Sequence, residues 1–189
     1  MDPGWLVLRH PAVIGGDGIC YGSLDLEADP AATAAILQTH ASRLPAMPIV
    51  SSPRQRCTVL AARFADRFGT GFEIDDRLRE IDFGAWEGRR WDQIDRRALD
   101  EWAANPLHFQ PPGGESATML LARVAGFAAD RPGQASHPLL IVTHGGVIRA
   151  MMALQEGDPS GMLRAPPAPG SLTPLAGMCT LPPLPNQNL

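Results

Sequence analysis

The stretch PLLIVTHGGVIRAMMALQ, residues 138–155, runs from an unbroken apolar block through Thr143 and His144 into a glycine pair and a second apolar segment. An apolar block without alternation reads as a strand covered on both faces, as in a parallel sheet. The residues after the glycines read as a helix. WLVLRHPAVIGG, residues 5–16, has the same order: a buried strand over 5–8, the pair Arg9–His10, then Pro11 and two glycines. MPIVSS (47–52) is a third short strand and ends in two serines. PRQRCTVLAARFADRF (53–68) follows as a helix, with Pro53 at its start and Val59, Leu60, Ala62, Phe64 and Phe68 on an apolar face. Strand–helix units in succession predict an α/β fold, a parallel sheet with helices packed on it.

Working outward, PAATAAILQTHASR (30–43) reads as a helix opened by proline, and residues 91–106 as one or two short helices with a charged face. FEIDDRLREIDFGAWEG (72–88) is too acidic and too interrupted by glycine for a helix, and its first half alternates like an edge strand. PPGGES (111–116) is a break, after which Ser116 caps a helix to about Asp130. In the proline-rich tail, GSLTPL and GMCTL are expected to pair as a closing hairpin. The expected organisation is one domain over 1–189, with a small lid segment around 91–112.

At 189 residues the chain can bury a full core. A net charge of −4 gives no global basic field, so no nucleic-acid partner is expected. No run approaches the roughly 20 apolar residues of a membrane span, and the N-terminus lacks the pattern of a signal peptide. Cys20, Cys57 and Cys179 are too few and too scattered for a disulfide framework. A cytoplasmic protein with reduced thiols is the expectation, and a homodimer is compatible with it. His10, His144 and the cysteines lack metal-ligand spacing. His40, His108 and His137 have no partner pattern and read as surface residues.

In open α/β sheets, ligands bind beyond the carboxyl ends of the strands. Three strands deliver chemistry there: Arg9–His10, Ser51–Ser52 with Arg56 a turn on, and Thr143–His144. A fourth segment supplies Glu80. Two arginines can grip a phosphate through charge-assisted pairs. One histidine can attack phosphorus, and the other can stabilise the transition-state oxygens. A carboxylate can protonate the departing oxygen. Alone, each residue has an ordinary structural explanation: Arg56 as a solvated helix residue, Glu80 as a salt-bridged loop carboxylate. Their convergence is what indicates a phosphate site. Glu87 reads either as functional or as a brace for Arg9 or a turn cap. Trp86, Trp91 and Trp102 read as packing, and Cys57 as inert on the apolar side of its helix.

Five ordered blocks, VLRHP, SSPRQRCTVLAARFA, LREIDFGAWEG, PPGGES and VTHGGVIRA, resemble the histidine phosphatase superfamily, which also contains phosphoglycerate mutases. The resemblance spans residue 6 to about 150. It implies a three-layer α/β/α sandwich of the phosphoglycerate mutase type, with a mostly parallel sheet and helices on both faces. It also implies a phosphohistidine at His10, phosphoryl binding by Arg9, Arg56 and His144, and proton donation by Glu80. Gly145 and Tyr21 complete the expected substrate contacts, Tyr21 being equally suited to packing at the pocket mouth. No metal or organic cofactor is implied. GICYGSLDLEA and the short chain are most similar to the alpha-ribazole phosphatase group of cobalamin biosynthesis, whose substrate is alpha-ribazole 5'-phosphate. Two departures stand out: Pro11 replaces the glycine after the histidine and removes a backbone N–H, and the polar residue usual a few positions later is missing. The alternatives are a phosphoglycerate mutase and a phosphate-binding module without turnover.

Overall fold

The computed structural model describes residues 4–131 and 138–175. Its centre is a five-stranded sheet of β1 (Trp5–Arg9), β2 (Ile49–Ser51), β3 (Glu73–Ile74), β4 (Leu139–Thr143) and β5 (Leu172–Leu175). The spatial order is β3-β2-β4-β1-β5. All neighbours are parallel except β5, which runs antiparallel to β1 along one edge. β4 enters late in the chain yet lies in the middle of the sheet, and each of its five residues is buried. That position explains its unbroken LLIV run: no face of the strand meets water.

Of five α-helices, α1 (Pro30–His40), α2 (Gln55–Phe68), α4 (Ala117–Ala129) and α5 (Gly145–Glu156) pack on the sheet, while α3 (Arg96–Ala104) packs on a separate cluster. Alternate residues of the central strands feed two cores. Trp5, Val7, Leu139 and Ile141 pack with Leu120, Val124, Phe127, Ile148 and Met151 of α4 and α5. Leu8, Leu140 and Val142 pack on the opposite face with Ile36 of α1 and Cys57, Leu60 and Phe64 of α2. The result is the expected α/β sandwich with helices on both faces of a mostly parallel sheet.

The helix ends follow local chemistry. Asp29 caps α1 by accepting from Ala31 N and Ala32 N, and Ser116 caps α4 by accepting from Met119 N. Gly69 ends α2 and Gly157 ends α5, both in the left-handed conformation that glycine adopts freely. Pro53 lies just ahead of α2 rather than in its first turn, because Arg54 is the extended cap residue. The region 91–106 forms a short 3-10 turn at Trp91–Gln93 followed by α3. Beneath it Trp86, Trp91, Trp102, Phe83 and Phe109 make a separate aromatic cluster, with Trp91 and Trp102 stacked 5.9 Å apart.

The expected closing hairpin has one of its two segments among the described residues. GSLTPL contributes β5, but its described partner is β1, with Leu8 opposite Leu172 and Trp5 opposite Leu175. GMCTL lies outside the described residues, as does His137. Among the described residues, no helix is long and apolar enough to cross a membrane.

Candidate active site

In the parallel register Arg9 pairs with Thr143, and Ser51 with Val142, so β1, β2 and β4 end at one level. His10, Ser52 and His144 are the next residues of the three strands, and all three are buried. The His10 and His144 rings meet edge to face with centroids 5.1 Å apart.

His10 Nδ1 lies 2.6 Å from the carbonyl oxygen of Pro11. A carbonyl can only accept, so the ring proton sits on Nδ1 and Nε2 keeps its lone pair. Pro11 thus removes an N–H but retains the acceptor that fixes the tautomer. Burial, with the nearby Arg56 and Arg9 charges, lowers the His10 pKa to about 3, against the pull of the Pro11 bond. The ring is therefore neutral, as a nucleophile must be.

His144 follows β4 and is the cap residue of α5. Its Nε2 is 2.7 Å from Ser52 Oγ, and Ser52 Oγ also accepts from Arg54 N at 3.4 Å. The hydroxyl hydrogen is then free to point at Nε2, which places the ring proton on Nδ1 as a donor. Complete burial, then the charge of Arg56, holds this imidazole well below its ordinary pKa. Cys57 Sγ packs 3.5 Å from Nε2, and burial pushes its thiol up, so it is an inert packing group.

Arg56, in the first turn of α2, is fully buried. It donates to Leu24 O at 2.8 Å and Gly22 O at 2.6 Å, while its Nε is buried without a partner. Tyr21 lies under it, the guanidinium carbon 5.5 Å from the ring centre. Arg9 donates to Pro167 O and also has a buried, unpartnered Nε. Arg56 is anchored through both terminal nitrogens and Arg9 through one, and the Nε of each is left without a partner among the described residues.

Glu80 approaches from the segment after β3. Its Oε2 accepts from Gly146 N at 3.0 Å, and Oε1 from Ile81 N at 3.0 Å. The glycine pair of α5 is what lets these groups converge. A Cβ at Gly146 would overlap Glu80 Oε1, and one at Gly145 would sit 3.2 Å from the Arg9 guanidinium carbon and 2.8 Å from Pro166 Cβ. Arg9, His10, Arg56, Glu80, His144, Gly145 and Tyr21 are thus gathered around the ends of three strands.

Glu87 belongs to the scaffold instead. Its carboxylate accepts backbone N–H groups from Gly22, Ser23, Leu24 and Phe83, and it makes no described contact with Arg9. The 22–24 turn is held by an anion on its N–H groups and by Arg56 on its carbonyls.

Three supports were not singled out from the sequence as functional residues. Arg123 of α4 bonds Glu115 and donates to Arg77 O and Glu80 O, fixing the backbone that carries Glu80. Pro167 supplies the carbonyl for Arg9. Arg54, the cap of α2, lines the cleft next to Glu80. A lone arginine in the apolar run MLLARVAGFAA was the one available hint for Arg123. Among the described residues, no three His, Cys, Asp or Glu side chains stand close enough to hold a metal ion.

An α/β sandwich with paired neutral histidines, two anchored arginines and a carboxylate at the strand ends defines a phosphoryl-handling protein. The chain matches the histidine phosphatase superfamily (branch 1) over residues 6–177, and it belongs to that family. It is 32% identical over 158 residues to the Hydrogenobacter thermophilus protein named "Putative phosphoserine phosphatase 2", covering 81% of this chain and 78% of that one. It is 34% identical over 116 residues to glucosyl-3-phosphoglycerate phosphatase of Mycobacterium tuberculosis, covering 56% of this chain and 52% of that one. The solved native structure of a mycobacterial glucosyl-3-phosphoglycerate phosphatase superposes with a TM-score of 0.77 at 27% identity, covering 91% and 89% of the two chains. The protein is accordingly a phosphatase of this superfamily.

Proposed function

We propose that the chain hydrolyses small phosphomonoesters through a phosphohistidine at Nε2 of His10. The observation that carries this reading is the pairing of a tautomer-fixed, neutral His10 with two anchored arginines whose Nε atoms are buried and unpartnered. In the first step the Nε2 lone pair attacks phosphorus and the ester P–O bond breaks. Glu80 gives its proton to the departing oxygen. In the second step Glu80, now a carboxylate, takes a proton from water as that water attacks phosphorus. The N–P bond breaks, its electron pair returns to Nε2, and inorganic phosphate leaves. Arg9, Arg56 and the Nδ1–H of His144 hold the phosphoryl oxygens throughout, where fixed donors act most strongly. A solved mycobacterial relative in complex with VO3, a phosphoryl-like oxyanion, supports reading the fold as an oxyanion site.

The sequence resemblance favours alpha-ribazole 5'-phosphate as substrate, while the names of the relatives favour phosphoserine and glucosyl-3-phosphoglycerate. A panel of these three with 3-phosphoglycerate and p-nitrophenyl phosphate, assayed with a metal chelator present, tests the reaction type. Release of phosphate is the expected result. Isomerisation of 3-phosphoglycerate with little free phosphate would establish a mutase instead, and binding without turnover of any ester would establish a binding module.

A further inference from the structure

The cleft beside Glu80 has a charge pattern that hydrolysis alone does not require. It is a half-open groove of about 170 Å³, and its wall includes Ser23, Arg54, Arg79, Glu80, Asp82 and Met119. Its carboxylates are engaged. Asp82 accepts from Ser23 Oγ at 3.0 Å and Gly84 N at 2.8 Å, Glu115 pairs with Arg123 at 2.7 Å, and Glu80 takes two backbone N–H groups.

Two of its cations are not engaged. Among the described residues Arg54 makes no side-chain hydrogen bond or ion pair, although its Nε is buried. Arg79 donates only to the carbonyl of Asp76, in its own turn, and has no carboxylate partner among the described residues. Exposed arginines such as Arg43, Arg63 and Arg67 also lack partners among the described residues, but Arg54 differs from them in having a buried Nε, and it shares its wall with Arg79.

Their place in the cleft says what they would meet. Glu80 serves the departing oxygen, so the wall around it faces the leaving alcohol rather than the phosphoryl group. We propose that Arg54 and Arg79 bind a carboxylate on that alcohol, which makes the preferred substrates phosphoric esters of small hydroxy acids. The proposal rests on the phosphatase reading above. A planar guanidinium fork matches a carboxylate in two parallel hydrogen bonds.

O-phosphoserine and O-phosphoethanolamine differ only by the carboxylate, so they isolate the effect. The wild type is expected to favour phosphoserine in kcat/KM by about tenfold or more, the size of one net charge-assisted contact. Arg54→Gln and Arg79→Gln should collapse that ratio, chiefly through the KM for phosphoserine. Equal use of the two esters by the wild type would overturn the proposal. So would an equal loss on both in Arg54→Gln, or a higher kcat/KM for alpha-ribazole 5'-phosphate than for phosphoserine. Calorimetric binding of the two esters to His10→Ala separates this idea from the phosphatase reading. A carboxylate preference in binding, with no turnover by the wild type, would sink the phosphatase reading alone. No preference in binding would sink this one.

Discussion

Glu80 is the residue whose assignment is most open to a chemical test, because proton donation matters only when the leaving group is basic. An alkoxide needs the proton, whereas p-nitrophenolate leaves without it, and general acid catalysis contributes about 10²–10⁴ in rate. Glu80→Gln preserves size and can still accept from Gly146 N, the contact seen at 3.0 Å. It should slow phosphorylation by an alkyl phosphate by about 10²-fold or more and by p-nitrophenyl phosphate far less. Single-turnover rates of the phosphorylation step make the comparison. An equal effect on both substrates would make Glu80 structural. Glu87 could not then take its place, since its oxygens are committed to four backbone N–H groups.

At the scale of elements, the junction of β4 and α5 is where sequence and site are most tightly coupled. The Gly146 N–H holds Glu80, and a methyl group at residue 146 would take the space of the Glu80 carboxylate. Gly146→Ala is therefore expected to reproduce the leaving-group dependence of Glu80→Gln. Its unfolding midpoint should shift little, because alanine is the better helix former by up to about 1 kcal/mol. Large, uniform loss of stability with no leaving-group dependence would contradict this. Such junctions were legible in the sequence because strand, histidine and glycine pair are adjacent, and local order carries their meaning. Arg9, His10, Arg56 and His144 could be placed from that order alone. The supports could not. Pro167 meets Arg9 across 158 residues and Arg123 meets Glu80 across 43. Periodicity encodes which face an element buries, but it does not encode which distant carbonyl an arginine will find. β3 was legible as an edge strand from the alternation at the start of 72–88, and it is one, although only Glu73 and Ile74 pair. Pairing of β5 with β1 was hidden because an edge strand's partner is set by the whole sheet.

For the whole molecule, two imidazoles kept neutral in the folded state tie stability to pH. In the unfolded chain each histidine binds a proton below about 6.5, whereas folded His10 does so only near 3 and His144 is also well depressed. Between those values the unfolded state holds more protons, so stability falls as pH falls through the window. At about 1.4 kcal/mol per pH unit, His10 alone should cost about 2 kcal/mol between pH 7 and pH 5. Urea unfolding of the wild type and His10→Gln at both pH values should show a smaller acid loss in the variant by that amount. Identical losses would mean that His10 is not held neutral by the fold.

The central claim is that neutral His10 becomes covalently phosphorylated, and rapid acid-free quenching of the enzyme with phosphorus-labelled ester addresses it most directly. The wild type should carry label that is stable to base, labile to acid and located by peptide mapping on His10. His10→Ala should carry none, and His144→Ala should label slowly if at all, but still on His10. Label on His144, on a serine, or in equal amount on His10→Ala would contradict the account.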